Sequence, residues 1–329
     1  MQLQFQKSMN LLVTGGAGFI GSHLCEAALE KGHLVVCVDN FNDYYDPKIK
    51  EKNVEKCLKN KDFVLFREDI TDLDGLKTIF KGSKPDQVIH LAAAVGVRES
   101  INKPILFEET NVKGTLNMLE LCKQFGIKKF IFASSSSVYG ENKKIPFSES
   151  DATDNIVSPY AATKRSAEIL CETYNKLYGI KVTCLRLFTV YGPRGRPEMA
   201  PYKFTKLIYE GKEIPMFGDG SSKRDYTYVN DIVAGIVSAI DKDFGFEIIN
   251  LGNSKPVELR KFISTIEEIT GKKAIIKRLP YQDGDVSMTF ADISKAKKLL
   301  DYNPKTDLRQ GIKNFFEWYK NSLAGRNNG

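Results

Sequence analysis

Leu11-Leu12-Val13-Thr14-Gly15-Gly16-Ala17-Gly18-Phe19-Ile20-Gly21 reads as a buried strand running into a glycine-rich turn, and the helix-like Ser22 to Lys31, closed by Gly32, follows it. Glycines permit positive φ and let a backbone approach a pyrophosphate, while a helix N-terminus presents unpaired N–H groups and the positive end of its dipole. The turn is therefore an anion cradle. Leu34-Val35-Val36-Cys37-Val38 forms a second apolar strand that ends in Asp39, about twenty residues past the turn, where a carboxylate accepts the adenosine ribose hydroxyls of a dinucleotide. The charge of Asp39 repels a 2′-phosphate, and Asn40 and Phe41 bring no cation to reverse that. The pattern points to NAD over NADP. A tight turn in a domain that binds no nucleotide is the competing reading, and the strand before the turn and the helix and acidic residue after it weigh against that.

Further along, apolar runs at Phe63 to Phe66, Gln87 to Leu91, Phe130 to Ala133 and Val182 to Leu187 alternate with helical stretches near Leu73 to Phe80, Ile105 to Phe125 and Pro159 to Tyr178. Such alternation predicts an α/β fold: a doubly wound parallel sheet with helices on both faces, of the Rossmann kind. Ligands of these sheets bind outside the carboxyl ends of the strands, where the chain carries Gly15, Asp39, Asp69, Ala92, Ser135 and Phe188. From Thr189 the regularity gives way to Gly- and Pro-rich segments, Gly192 to Pro197 and Gly218 to Ser222, of the sort that builds a substrate lobe. Tyr226 to Tyr228, the helix Asn230 to Ile240 and Glu247 to Leu251 are expected to rejoin the sheet. The organisation expected is residues 1–8 as a leader or tail, 9–187 with about 226–254 as the dinucleotide domain, and 188–225 with 255–325 as a smaller, discontinuous substrate lobe.

Tyr160-Ala161-Ala162-Thr163-Lys164 supplies the chemistry. Residues i and i+4 share one face of a helix, so the Lys164 ammonium lies beside the Tyr160 phenol. A free phenol ionises near pH 10, and adjacent positive charge draws that value down toward a usable base. The spacing also arises by chance in helices rich in tyrosine and lysine. Its weight comes from its place after a glycine turn and the serine run Ser134 to Ser137.

A length of 329 residues suffices for one large or two closely associated domains with a sizeable core. No apolar stretch reaches the eighteen or so residues a membrane-spanning helix needs, and Met1 to Ser8 has no apolar signal core, so a cytoplasmic protein is expected. The six cysteines show no C-x-x-C spacing and fall in apolar patterns, which marks them as buried free thiols. His23, His33 and His90 are scattered, without a metal-ligand pattern, so no metal site is expected. The net charge of +7 is spread over Lys-rich helices such as Lys48 to Lys61, which read as solvated faces, and nucleic acid is not an expected partner.

The glycines at 15, 18 and 21, the serines before Val138-Tyr139-Gly140, Tyr160 and Lys164 together resemble the extended short-chain dehydrogenase/reductases over nearly the whole chain. Asp69-Ile70, His90-Leu91-Ala92-Ala93, Asn111-Val112-Lys113-Gly114-Thr115 and Arg224-Asp225-Tyr226 add to that resemblance. It implies that Gly15, Gly18, Phe19, Ile20, Gly21, Asp39, Asn40, Asp69, Ile70, Leu91, Ala92 and Ala93 line an NAD site, joined by Tyr160 and Lys164, with Ser135 as third catalytic member. Asp39-Asn40-Phe41-Asn42-Asp43-Tyr44-Tyr45-Asp46-Pro47, Val95-Gly96-Val97-Arg98 and Phe188 to Pro193 with Gly195-Arg196-Pro197 resemble the UDP-glucuronate 4-epimerases within that family. Val95, Gly96, Arg98, Ser135, Ser136, Thr189, Arg196, Arg224 and Asp285 are then the implied contacts to a UDP-sugar. UDP-galactose 4-epimerases usually carry Asn where Thr189 stands, and a hydroxyl backed by Arg196 suits a C6 carboxylate, because a guanidinium grips both oxygens. A surface charge or a salt bridge is the alternative for Arg196. The sequence departs from the pattern at Gln282, where galactose-type enzymes have arginine, and at Asp283, where uronate epimerases commonly have proline.

The reaction this resemblance implies begins with Tyr160 taking the 4-hydroxyl proton as hydride leaves C4 for NAD. The keto sugar then turns over, and hydride returns to the opposite face. The carboxylate of a uronate lies β to the new ketone, so Thr189 and Arg196 are expected to hold it where carbon dioxide does not depart. A UDP-glucuronate decarboxylase and a UDP-glucose or UDP-N-acetylglucosamine 4-epimerase remain open on the same scaffold. A 4,6-dehydratase is disfavoured by Ser136-Ser137 in place of an acidic pair, and a non-catalytic NAD sensor by the Tyr/Lys pair. Ile105 to Phe125 and Pro159 to Tyr178 are expected to pair in a homodimer, as in many relatives, though their apolar content equally fits internal burial.

Overall fold

The computed structural model describes residues 8–280 and 288–324. It divides into two compact units, residues 1–138, 158–185 and 236–248 in the first and 139–157, 186–235 and 249–329 in the second. These limits differ from the 187/188, 225/226 and 254/255 divisions expected from the sequence.

The main sheet carries β1 (Asn10–Thr14), β2 (Leu34–Val38), β3 (Phe63–Phe66), β4 (Gln87–His90), β5 (Lys129–Ser135) and β6 (Lys181–Leu187). With the strand Phe246–Leu251 they form a seven-stranded sheet, ordered Phe246–Leu251, β6, β5, β4, β1, β2, β3. The pairs of β1 with β2 and β4, of β2 with β3, and of β4 with β5 are parallel, as near-continuous apolar runs predict. Order reverses at β1 and β4, and that switch point opens a crevice at the carboxyl ends of the strands.

Helices α1 (Phe19–Glu30), α2 (Pro47–Val54), α3 (Leu73–Ser83), α4 (Val97–Asn102), α5 (Pro104–Glu108), α6 (Gly114–Phe125) and α7 (Pro159–Tyr178) complete the first unit. α1 begins three residues before the expected Ser22, so the last glycine of the turn is already helical. The helical stretch expected over Ile105 to Phe125 runs unbroken from Pro104 to Phe125, with the π-helical turn Glu109–Lys113 between its α-helical parts α5 and α6. α7 has the expected bounds: Ser158 Oγ accepts from the Ala161 N–H at its start, Pro159 stands at its first position, and Gly179 takes a left-handed φ of 66° at its end. Leu12, Val36, Val38 and Val88 of the sheet pack with Met118, Leu119 and Cys122 of α6 and Ala167 and Cys171 of α7 in one buried core.

In the second unit Lys223–Tyr228 lies between Thr189–Tyr191 and Pro256–Glu258 in a separate three-stranded sheet, parallel to the former and antiparallel to the latter. The expectation that Tyr226 to Tyr228 rejoins the main sheet is thus corrected, since the neighbours that satisfy this strand's backbone are loop strands far away in sequence. Glu247 to Leu251 does join the main sheet. Tyr202, Phe315, Phe316 and Tyr319 make an aromatic core for this unit.

Candidate active site

The glycine turn closes on the sheet at very short range. Gly15 has φ +69°, and a Cβ there would stand 2.8 Å from the Ala92 backbone nitrogen, while one on Gly21 would overlap the Gly15 carbonyl oxygen. Gly18 occupies the N-cap of α1 and supplies no side-chain cap, and no acidic residue sits in the first turn. The first N–H groups of α1 are thus left to an anion. Phe19 is buried and Ile20 half-buried behind them.

Asp39 ends β2 almost fully buried. Its Oδ2 accepts from the Ala17 N–H at 3.2 Å, and its Oδ1 accepts from the Phe41 N–H at 3.0 Å and from Lys50 Nζ at 3.0 Å. Asn40 donates to Asp69 Oδ2 at 2.6 Å, and Thr71 donates twice to Asp69 Oδ1. Burial would raise the Asp69 carboxyl, but these hydrogen bonds outweigh it and hold the group below its ordinary range. Ile70 is buried against Gly114, where a Cβ would meet it at 2.6 Å. Leu91, Ala92 and Ala93 follow β4, half-buried. A cradle without room for side chains, an uncapped helix N-terminus and a fixed carboxylate at the end of the second strand fit a dinucleotide.

From Ala92 a hydrogen-bond chain runs inward. The Ala92 N–H donates to Thr14 Oγ1 at 3.2 Å, Thr14 Oγ1 lies 2.7 Å from His90 Nδ1, His90 Nε2 lies 3.1 Å from Thr115 Oγ1, and Thr115 donates to the Asn111 carbonyl at 2.6 Å. Because Thr115 spends its proton on Asn111, His90 must donate from Nε2, and the neutral ring then accepts from Thr14 at Nδ1. Burial, helped by the charge of Lys164, pushes its pKa down to about 3. The Asn111 side chain accepts from the Ala94 N–H at 2.7 Å and donates to the Ala94 carbonyl and to Thr163 Oγ1, both at 3.0 Å. Thr163 in turn donates to the Tyr160 carbonyl at 2.8 Å. The π-helical turn lets Asn111 face this strand end. The wall of the nucleotide cradle and the helix of Tyr160 are thereby tied together.

Lys164 is buried, donates to the Ala133 carbonyl at 2.8 Å and lies 4.9 Å from the Phe132 ring centroid. Burial lowers its pKa to about 8, although Cys171 and Glu168 oppose the shift. Tyr160 is half-buried, with its ring edge-on to Phe107 at 6.1 Å. Ser135, at the end of β5, accepts from the Ser137 N–H at 3.1 Å, and Ser134 donates to the wholly buried Glu168 at 2.6 Å. Ser136 is half-buried beside them. Val95 and Gly96 precede α4, Gly96 with φ +111° as its N-cap, and Arg98 is exposed on its first turn.

The other expected substrate contacts lie in the second unit. Thr189 starts the strand paired with Tyr226. Arg196 Nη1 lies 3.2 Å from Glu198 without hydrogen-bond geometry, which is the salt-bridge alternative weighed from the sequence. Arg224 donates to the neighbouring Lys223 carbonyl at 2.9 Å. Beside it Asp225 is fully buried and accepts from the N–H groups of Asn253, Ser254 and Ala291, pinning this strand to two loops. Gln282, Asp283 and Asp285 lie outside the described residues.

Lys50 and Asn53 were missed by sequence reasoning. The reading of Lys48 to Lys61 as solvated is corrected at Lys50, which is 7% exposed, and Asp39 does have a cation beside it. The signal was the spacing of Lys50, Asn53 and Val54, the inward stripe of a short helix, all three of them buried. Among the described residues no group of acidic, histidine and cysteine side chains is arranged to hold a metal, and all six cysteines are free and buried.

The model of the family described as GDP-mannose 4,6 dehydratase matches residues 12–315. The chain belongs to that family of extended short-chain dehydrogenase/reductases. The chain is similar to a UDP-glucuronate 4-epimerase of Thermodesulfobacterium geofontis, 46% identical over 95% of this chain and 96% of that one. A UDP-glucuronic acid 4-epimerase of Bacillus cereus, solved with UDP-glucuronic acid and NAD, superimposes with a TM-score of 0.90 at 40% identity, covering 95% of this chain and all of that one. A UDP-glucose 4-epimerase of Thermotoga maritima, solved with UDP-glucose, gives 0.89 at 36%, covering 96% of this chain and all of that one.

Proposed function

We propose that this chain is an NAD-dependent 4-epimerase that interconverts UDP-glucuronate and UDP-galacturonate. The observation that carries the reading is the α7 helix, which sets Lys164 against the β5 carbonyl of Ala133 and links Tyr160 through Thr163 and Asn111 to the strand end at Ala94. Relatives at 40–46% identity that act on the same sugar nucleotide support it.

Gly15, Gly18 and Gly21 would hold the pyrophosphate of NAD and Asp39 its adenosine ribose. Bound there, NAD supplies a reversible two-electron oxidation at C4. Tyr160 takes the proton of the 4-hydroxyl and returns it after the sugar has turned over, with Ser135 hydrogen-bonded to the same oxygen. Lys164, charged below about pH 8, favours the phenolate one helical turn away. We assign Thr189 and Arg196 to the C6 carboxylate. Held out of line with the C4 carbonyl, its C–C bond cannot feed electrons into the ketone, and carbon dioxide stays on the sugar. Arg224 is assigned to the diphosphate.

We also assign the protein to the cytoplasm as a homodimer. Free buried cysteines suit a reducing compartment, and Ile105, Leu106, Ile169 and Leu177 leave apolar surface exposed on α5 and α7. No described helix is long and apolar enough to cross a membrane.

The test is incubation of the purified protein with UDP-glucuronate, UDP-glucose and UDP-N-acetylglucosamine in separate reactions without reductant, read by proton NMR. UDP-galacturonate from the first alone is expected. A UDP-pentose or an accumulating 4-keto sugar would make the enzyme a decarboxylase, and turnover of only the neutral sugars would mean that Thr189 and Arg196 hold no substrate carboxylate.

A further inference from the structure

A buried lysine bonded to the ribose-facing carboxylate sits oddly in a site that selects against a 2′-phosphate. Lys50 is held from both sides. α2 is capped by Asp46, whose Oδ1 accepts from the Lys48 N–H at 3.0 Å, and Pro47 stands at the helix's first position. One turn past Lys50, Asn53 donates to the Ala17 carbonyl at 3.1 Å, so the helix is tied to the glycine turn as well as to Asp39. Lys50 Nζ meets Asp39 Oδ1 at 3.0 Å and Asn42 Oδ1 at 3.4 Å, and it lies 5.6 Å from the Tyr45 ring centroid.

An ammonium has three donors, and two of those on Lys50 are engaged. Asp39 faces three protein donors, the Ala17 and Phe41 N–H groups and Lys50, which lock its orientation and leave part of its acceptor capacity for hydroxyls. A carboxylate buried near a pyrophosphate is also opposed by like charge, and Lys50 offsets that repulsion. Arg67 adds a second cation near the same loop, 4.1 Å from the Phe41 ring centroid and paired with Glu51 at 2.8 Å.

We propose that Lys50 is a specificity-determining residue of the nucleotide site: paired with Asp39 it positions that carboxylate for the ribose diol, and once Asp39 loses its charge Lys50 becomes a receptor for a 2′-phosphate. Selectivity for NAD then resides in the pair, with Asp39 masking a phosphate site that is already built. The inference rests on the reading of this edge as the NAD site and is independent of which sugar is turned over.

The experiment measures NAD and NADP dissociation constants by calorimetry on nucleotide-stripped wild type, Lys50→Met, Lys50→Arg, Asp39→Asn and Asp39→Asn/Lys50→Met, with circular dichroism melts as the check of folding. Wild type is expected to prefer NAD by about a hundredfold or more. Lys50→Met weakens NAD by about tenfold, and Lys50→Arg restores most of it. Asp39→Asn binds NADP at least as tightly as NAD, and the double variant loses that NADP affinity by about tenfold or more. A double variant that binds NADP as tightly as Asp39→Asn overturns the proposal, as does a folded Lys50→Met with unchanged NAD affinity. Should Lys50→Met not fold, the double variant, which buries no unpaired charge, decides the matter alone. Wild type that binds neither nucleotide would overturn the underlying reading of the edge, a result distinct from loss of selectivity.

Discussion

The nucleotide edge of the first unit and the arginine loops of the second are built in opposite ways. Around Asp39, Thr14, His90, Asn111 and Thr115, polar groups are buried and their partners are fixed by backbone or by other buried side chains. Arg196 and Arg224, by contrast, are half-buried and lean on what is nearest, the Glu198 carboxylate and the carbonyl of Lys223. A buried polar network is worth its desolvation only when fully satisfied, so it suits a cofactor that stays in place. A guanidinium resting on a replaceable neighbour is open to exchange that neighbour for a substrate anion. The difference matches a catalyst that keeps its nucleotide and exchanges its sugar.

The sharpest way to break that division is Tyr160→Phe. Turnover of UDP-glucuronate should fall about 10³-fold or more while NAD affinity stays within twofold, measured by NMR assay and calorimetry. Near-normal turnover would remove the base assignment altogether. Lys164→Met should cost about 10²-fold in turnover and yet stabilise the fold. Lys164 titrates near 8 when folded against an ordinary 10.5, so between these values the unfolded chain binds the extra proton and the penalty for burying the charge is complete below pH 8. After loss of the hydrogen bond to Ala133, a net gain on the order of 2 kcal/mol is expected at pH 7, fading between pH 8 and 10.5. Denaturant titrations at pH 7 and pH 10 check it, and equal differences at both would contradict the burial of this charge.

On the loop side, Arg196→Ala should lower kcat/KM for UDP-glucuronate about 10- to 100-fold and release UDP-pentose. Glu198→Gln, which frees the guanidinium, should tighten UDP-glucuronate binding by about twofold, whereas weaker binding would make Glu198 a partner of the substrate rather than a placeholder. A further effect, which depends on pH, concerns His90. Its folded pKa of about 3 lies below the ordinary 6.5, so protons favour the unfolded chain between these values. The stability advantage of wild type over His90→Gln should shrink by about 1.4 kcal/mol for each pH unit below 6.5. A difference that does not change with pH would mean that the chain from Ala92 to Asn111 tolerates a charged imidazole.

Much of the site was legible in the chain alone. The glycine turn, the acid at the end of β2 and the Tyr/Lys pair depend on local rules, namely the reach of a tight turn, the length of a strand and the i, i+4 face of a helix. Other features were not local. The π-helical turn at Glu109–Lys113 within the continuous helical pattern goes with Asn111 reaching Ala94 and Thr163, at sequence separations of 17 and 52. The Lys223–Tyr228 strand left the expected sheet because Thr189–Tyr191 and Pro256–Glu258 were available to pair with it.

By itself the sequence determined the α/β class and the strand ends where the glycine turn and Asp39 stand, and it proposed the residues of proton transfer, since each is written in periodicity and short-range spacing. Tertiary structure alone decided that Lys50 turns inward to Asp39, that His90 is neutral, and that Arg196 rests on Glu198. Burial and the identity of a partner are set by segments distant in the chain, and a charge means one thing in water and another where a single carboxylate is its neighbour.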